Sequence, residues 1–170
     1  MSMSQVFALL FVVGFMAAQV APQALPKPEE VVELRAVPAE LMLPTDGIAT
    51  LKLVAEIRPG FHINSNKPLQ EYLVPTQIIL PEAGGFELLE VKYPQPQLKR
   101  FPFAPDEDVA VFAGTLEVSL QLRASAVRDD RHRLKVALRY QACNDRICLR
   151  PAQRTVEISV NVIRGSKKPG

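Results

Sequence analysis

The residues best equipped for chemistry are two thiols. Cys143 and Cys148 are the only cysteines among 170 residues, separated by Asn144-Asp145-Arg146-Ile147. Such a pair can close a disulfide, exchange it with another protein's thiols, or ligate a metal. The surrounding pattern is that of a hairpin. Before the pair, Leu134, Val136, Leu138 and Tyr140 alternate with Arg133, Lys135 and Arg139; after it, Val156, Ile158, Val160 and Val162 alternate with Glu157, Ser159 and Asn161. That period of two marks half-buried strands, and Asn144-Asp145 is a turn-forming pair, so both cysteines are expected at a hairpin mouth, within disulfide reach. Closing a six-residue loop restricts the unfolded chain little, about 2 kcal/mol in the chain-entropy model. Redox use is therefore a stronger reason for the bond than stability. Asp145 and Arg146 act oppositely on a neighbouring thiolate, the cation favouring it and the carboxylate opposing it.

His62 and His132 are the only histidines and could complete a metal site, but four intervening residues match no common zinc spacing. His132 also falls in the charged run Arg128-Asp-Asp-Arg-His-Arg133, read as a solvated turn, so neither a metal nor a cofactor is expected. His62 reads as a hydrogen-bonded loop or core residue. Tyr140 reads as a core aromatic, with its hydroxyl near the cysteines as the other reading. No Ser/His/Asp set, catalytic carboxylate pair or phosphate-binding glycine loop is discernible, and Gly84-Gly85 is a turn.

The elements that must position these residues are strands. Val31 to Val37 is a first strand that Pro38 ends or confines to an edge, and Thr45-Asp46-Gly47 is a turn. Leu51, Leu53, Ala55 and Ile57 alternate with Lys52, Val54 and Glu56 as far as Pro59-Gly60. Phe61 to Pro68 is expected as an ordered loop, Val74 to Leu80 and Phe86 to Tyr93 as strands, and Val109 to Phe112 and Leu116 to Leu122 as strands around Gly114. Pro94 to Asp108 holds four prolines and two exposed-looking rings, Phe101 and Phe103, and is too long for a plain hairpin turn. Eight or nine short strands without an amphipathic helix imply an all-β, immunoglobulin-like antiparallel β-sandwich, with a small barrel as the alternative.

Length implies one domain, and acids and bases are interspersed with a net charge of +2, so no nucleic-acid footprint stands out. Val6 to Ala18 is an uncharged apolar run, short for a membrane span and suited to the core of a secretory signal. The expected organisation is a signal over residues 1–21, with a retained anchor as the alternative, a Pro-rich linker over 22–29, the domain over 30–163, and a basic tail over 164–170. Export to the periplasm or beyond favours a disulfide between the cysteines.

Tyr140-Gln-Ala-Cys143, Cys148 and Pro151, downstream of Pro59-Gly60-Phe61-His62-Ile63-Asn64 and Val74-Pro75-Thr76, resemble the N-terminal periplasmic domain of the thiol:disulfide interchange protein DsbD. The resemblance implies an immunoglobulin-like sandwich acting as a protein-disulfide reductase component, with Cys143 and Cys148 as the redox pair, Cys148 bonding the partner and Cys143 resolving. It implies an electron donor of the thioredoxin-like class in another chain, supplied through a membrane electron-transfer protein, and periplasmic thiol oxidoreductases as recipients. The family covers its cysteines with a loop bearing an aromatic ring; Lys99 to Asp108 lies where that cap would be, with Phe101 or Phe103 as the ring. Two other readings remain: a noncatalytic binding or assembly domain with a structural disulfide, and a periplasmic metal carrier.

Overall fold

A computed structural model describes residues 24–163 except positions 46, 126, 128 and 129. The signal and basic-tail assignments lie outside the described residues, as do the first part of the linker, Asp46 of the first turn, and Arg128 and Asp129 of the charged run. Twelve strands follow a 3-10 turn at Pro28–Glu30: β1 Val32–Val37, β2 Glu40–Pro44, β3 Ile48–Ile57, β4 His62–Asn64, β5 Gln77–Ile79, β6 Phe86–Lys92, β7 Gln97–Phe101, β8 Ala104–Phe112, β9 Thr115–Ala124, β10 Arg131–Tyr140, β11 Ala142–Cys143 and β12 Ala152–Ile163. No helix among the described residues is long and apolar enough to cross a membrane.

The strands form three sheets, ordered β1-β3-β9-β6, β2-β12-β10-β5 and β11-β4-β8-β7. Every pairing is antiparallel except β2 with β12. The first two sheets share one core, because alternate residues of their long strands turn inward: Leu51 and Leu53 of β3, Leu120 and Leu122 of β9, Leu134 and Leu138 of β10, and Ile158 and Val160 of β12. This is the expected all-β, immunoglobulin-like sandwich. β8 works on two faces: Phe112 belongs to the main core, while Val109 and Val111 join Leu73, Phe101 and Ala104 in a small satellite core. Gly114, at φ +72°, carries the chain from β8 in one sheet to β9 in another, a backbone conformation that glycine adopts without steric cost.

Several local readings change. His62–Asn64 is a strand, not a loop, because β8 and β11 both pair with it. The strand expected from Val74 shrinks to Gln77–Ile79: Pro75 has no N–H to donate, and the Thr76 N–H is taken by Ser65. Arg131, His132 and Arg133 begin β10 and pair with β12, so this part of the charged run is strand. Residues 97–112 form a hairpin after all. Pro94 and Pro96 precede it, Pro102 occupies its turn, and Pro105 falls where the β7–β8 register shifts, so no proline interrupts the regular ladder. Phe101, expected at the surface, is buried among the satellite residues; Phe103 is exposed.

Tyr140 ends β10 with its side chain fully buried, and its hydroxyl donates to the Pro28 carbonyl at 2.9 Å. Pro28 is itself buried, so the end of the Pro-rich segment is docked on the sandwich. Burial raises the Tyr140 pKa to about 12, partly countered by Arg154. The hydroxyl therefore stays protonated and ties the amino-terminal turn to the strand that leads into the cysteines. Tyr140→Phe removes this donor and leaves the Pro28 carbonyl with the Val31 N–H alone, at 3.3 Å, with an expected loss of about 1 kcal/mol in urea unfolding. The redox behaviour of the cysteine pair should not change; a shifted potential would instead assign the hydroxyl an action on the sulfurs.

Candidate functional site

The β10–β12 ladder ends at Tyr140 opposite Ala152, and the connection from Gln141 to Pro151 folds back as a smaller hairpin. Its turn is organised by Asn144, whose Oδ1 accepts from the N–H groups of Arg146 and Ile147, each at 2.9 Å, while its own N–H donates to the Ile147 carbonyl. This is the local competition for backbone groups that makes Asn a turn residue. The Leu149 N–H reaches the Ala142 carbonyl at 2.8 Å, which sets Cys143 opposite Cys148. A disulfide joins them, with Cα atoms 4.0 Å apart.

The two sulfur-bearing residues are unequal in access. Cys143 is 1% exposed, because β11 pairs with β4 and lies inside the protein. Cys148 occupies the outer arm and is exposed, as are its neighbours Arg146 and Ile147.

The histidine segment and the cysteine segment share one polar network. Cys143 pairs with His62 and Ala142 with Ile63. One residue on, Asn64 Nδ2 donates to the Val74 carbonyl at 3.0 Å and to Gln141 Oε1 at 3.4 Å. Thr76 Oγ1 donates to the Asn64 carbonyl at 2.5 Å, and Gln141 Nε2 to the Leu149 carbonyl at 3.2 Å. Three separate stretches are thereby held in register around the disulfide. Gln141, unassigned from sequence, is central here, with Asn144 acting as the turn former its type implied; an amide side chain beside the first cysteine is the signal that could have found Gln141.

His62, Phe101 and Phe103 come together as a column of rings. Phe101 stacks on His62 at 4.2 Å between centroids, and Phe103 stacks on Phe101 at 5.3 Å. The inner ring lies beside Cys143 through the β4–β11 pairing, and the outermost is exposed. The hairpin segment expected to carry a covering ring brings Phe101 onto His62 and Phe103 onto Phe101. His62 is 4% exposed, and its Nε2 has no hydrogen-bond partner among the described residues. Desolvation lowers its pKa to about 4, aided by Lys99 and opposed by Asp145, so the imidazole is neutral near pH 7. His132 lies in another sheet, edge-on to Phe86 at 5.2 Å. The two histidines do not converge, and the described residues contain no cluster of three or more His, Cys, Asp or Glu side chains suited to a metal.

The lowered His62 pKa has a defined consequence for stability. The unfolded imidazole titrates near 6.5 and the folded one near 4, so the unfolded chain takes up the proton first as pH falls. Stability from this group is fully present above about pH 6.5 and declines toward pH 4, by at most about 3 kcal/mol. Urea unfolding across that interval should show the decline, and His62→Phe should flatten it; identical slopes would remove His62 as the cause.

Residues 23–160 match the family model described as thiol:disulfide interchange protein DsbD, N-terminal. Among curated proteins none matches the sequence. Of solved structures, the DsbD N-terminal domain of Neisseria meningitidis in its reduced form is 21% identical with a TM-score of 0.50, over 81% of this chain and 90% of that one. The N-terminal periplasmic domain of ScsB from Proteus mirabilis is 16% identical with a TM-score of 0.54, over 79% of this chain but 49% of that one. These two similarities establish the fold. The family match spans most of the chain and takes in both cysteines, the histidine strand and the ring-bearing hairpin, and by it the chain belongs to the family of N-terminal domains of the thiol:disulfide interchange protein DsbD.

Proposed function

We propose that this domain carries electrons between proteins in the periplasm by thiol–disulfide exchange at Cys143 and Cys148. One observation carries the order of events: Cys148 is exposed and Cys143 is 1% exposed within the same disulfide. Attack by a bulky protein thiolate needs access to the sulfur it bonds. A donor thiolate attacks Cys148 Sγ, the bond from Cys148 to Cys143 breaks, and Cys143 leaves as thiolate with the electron pair. A second donor thiolate then attacks the donor's own sulfur in the mixed disulfide. The donor departs oxidised, and both cysteines are reduced. Passing the electrons on runs the same steps in reverse: Cys148 attacks the recipient's disulfide, and Cys143, held close by the short hairpin, resolves the intermediate.

Membership of this family supports thiol–disulfide redox partners; in this scheme the donor is thioredoxin-like, supplied through a membrane electron-transfer protein, and the recipients are periplasmic thiol oxidoreductases. The periplasmic setting of the similar ScsB domain supports the compartment. Phe101 and Phe103 act in this scheme as the shield on the Cys143 side, with His62 as the base of the ring column. Tyr140 supports the site from below as a structural tether.

Two measurements test the proposal. Cys148 in the Cys143→Ser variant should react with an aromatic disulfide reagent at least about tenfold faster than Cys143 in the Cys148→Ser variant, since access differs while the chemistry is the same. Equal rates, or the reverse order, would overturn the assignment. The reduction potential of the pair, read by alkylation across a graded redox buffer, should lie above about −300 mV. A lower value, or a bond reducible only after unfolding, would leave a noncatalytic binding domain with a structural staple.

A further inference from the structure

A groove of about 660 Å³ reaches Asp145 of the turn between the cysteines, neither of which lines it, and is bounded among others by Arg58, Phe61, His62, Lys99 and Phe101. It runs between the corner that joins β3 to β4, where Gly60 takes φ +82°, and the end of β7. Its cysteine end is marked by Asp145, two residues after Cys143 in the disulfide-closed turn. Three features describe an occupant.

The first is charge. Arg58 and Lys99 are exposed, and neither makes an ion pair among the described residues. Arg100, also on the lining, is paired with Asp108 at 3.0 Å. Arg146 and Arg150, two residues either side of Cys148, are likewise exposed and outside any ion pair of the described residues. Asp145 is the one carboxylate on the groove lining, so an anion is favoured at the Arg58 and Lys99 end and disfavoured next to Asp145. The second feature is the unpartnered Nε2 of His62, a buried polar atom on a residue that lines the groove. Buried polar atoms without partners cost free energy in the free protein, which a ligand group can recover. The third is the apolar surface of Phe61 and Phe101, suited to the stem of a peptide and not to a bare ion.

We infer that this groove receives an extended acidic segment of the protein that exchanges disulfides with Cys148, its carboxylates facing Arg58 and Lys99 and a polar group meeting His62 Nε2. The inference rests on the exchange reading and adds to it the chemistry of the partner. Partners would then be selected by the acidic sequence beside their reactive cysteine. Basic segments would be rejected by like charge, and the attraction would accelerate encounter at low ionic strength.

The test uses two peptides of matched length, one flanked by Asp and Glu and the other by Lys, each with serine in place of its cysteine so that binding is read without exchange. In titrations of the oxidised domain followed by NMR, the acidic peptide should bind about tenfold more tightly than the basic one, the worth of two exposed ion pairs. It should shift the His62 ring resonances. The preference should vanish in Arg58→Ala/Lys99→Ala, whose substitutions lie at exposed positions, and at about 1 M salt, where the Debye length is about 3 Å. Equal affinities, or a preference that survives in the double variant, would overturn the groove. Exchange is read separately with dithiothreitol, a neutral thiol. A disulfide that resists it in the folded domain overturns the exchange reading, and with it the groove's role as the approach to Cys148. A disulfide that it reduces, beside peptides that bind alike, overturns the groove alone.

Discussion

Two backbone pairings, Ala142 with Ile63 and Cys143 with His62, hold the disulfide on the sandwich. They place Cys143 under the surface as part of a sheet, and the turn organised by Asn144 then leaves Cys148 on the outer arm. The cysteines are covalently joined yet face different surroundings, and the proposed exchange uses that difference: the accessible one can bond a partner while the buried one stays beside it. The same pairings put the His62 ring beside the cysteines, and the ring column of Phe101 and Phe103 is built on it. Without β11 on β4, the loop from Gln141 to Pro151 would be an unanchored connection at a sheet end.

Stability and chemistry draw mainly on different sheets, joined where Ile63, Phe112 and Ala142 of the third sheet enter the main core. The main core comes from the two large sheets, whose inward leucines, valines and isoleucines are nearly all excluded from solvent. The site hangs on the third sheet, and its covering hairpin rests on a satellite core of five residues. A small cluster buries little apolar area, so this part contributes less to global stability. The surface ion pairs, such as Arg133 with Glu157 and Arg123 with Glu87, join exposed side chains across neighbouring strands and add little each. The histidine is held neutral by burial, so ring packing near the disulfide does not place a cation under the aromatic column.

A stapled binding domain would use the same sandwich, and the fold alone does not separate it from a carrier. What separates them is the loop: the bond spans a short turn, crosses no layer of the sandwich, and has one of its cysteines at an exposed position. A staple serves best where it closes a long loop or ties distant elements. Here the long-range ties are hydrogen bonds, from Asn64 to Gln141 and from Tyr140 to Pro28.

The sequence by itself determined most strands of the two large sheets, though not β2 or the start of β5, together with the hairpin that carries the cysteines and the residue types of the site. Each of these is local: a pleat repeats every two residues, and Asn-Asp turns or proline stops act within a few positions. Proline content misled where it was read without partners. Pro102 and Pro105 looked like marks of an irregular loop, yet a turn and a register shift accommodate them, and the Phe101 ring that looked exposed is buried by contacts with Leu73 and Val109. Only the tertiary structure decided that His62 belongs to a strand, that its ring stacks with Phe101, that the Tyr140 hydroxyl meets Pro28, and that Cys143 is hidden while Cys148 is not. Those outcomes depend on pairings such as the one between Asn64 and Gln141, 77 residues apart. No local periodicity encodes which distant strand will cover which side of a six-residue turn.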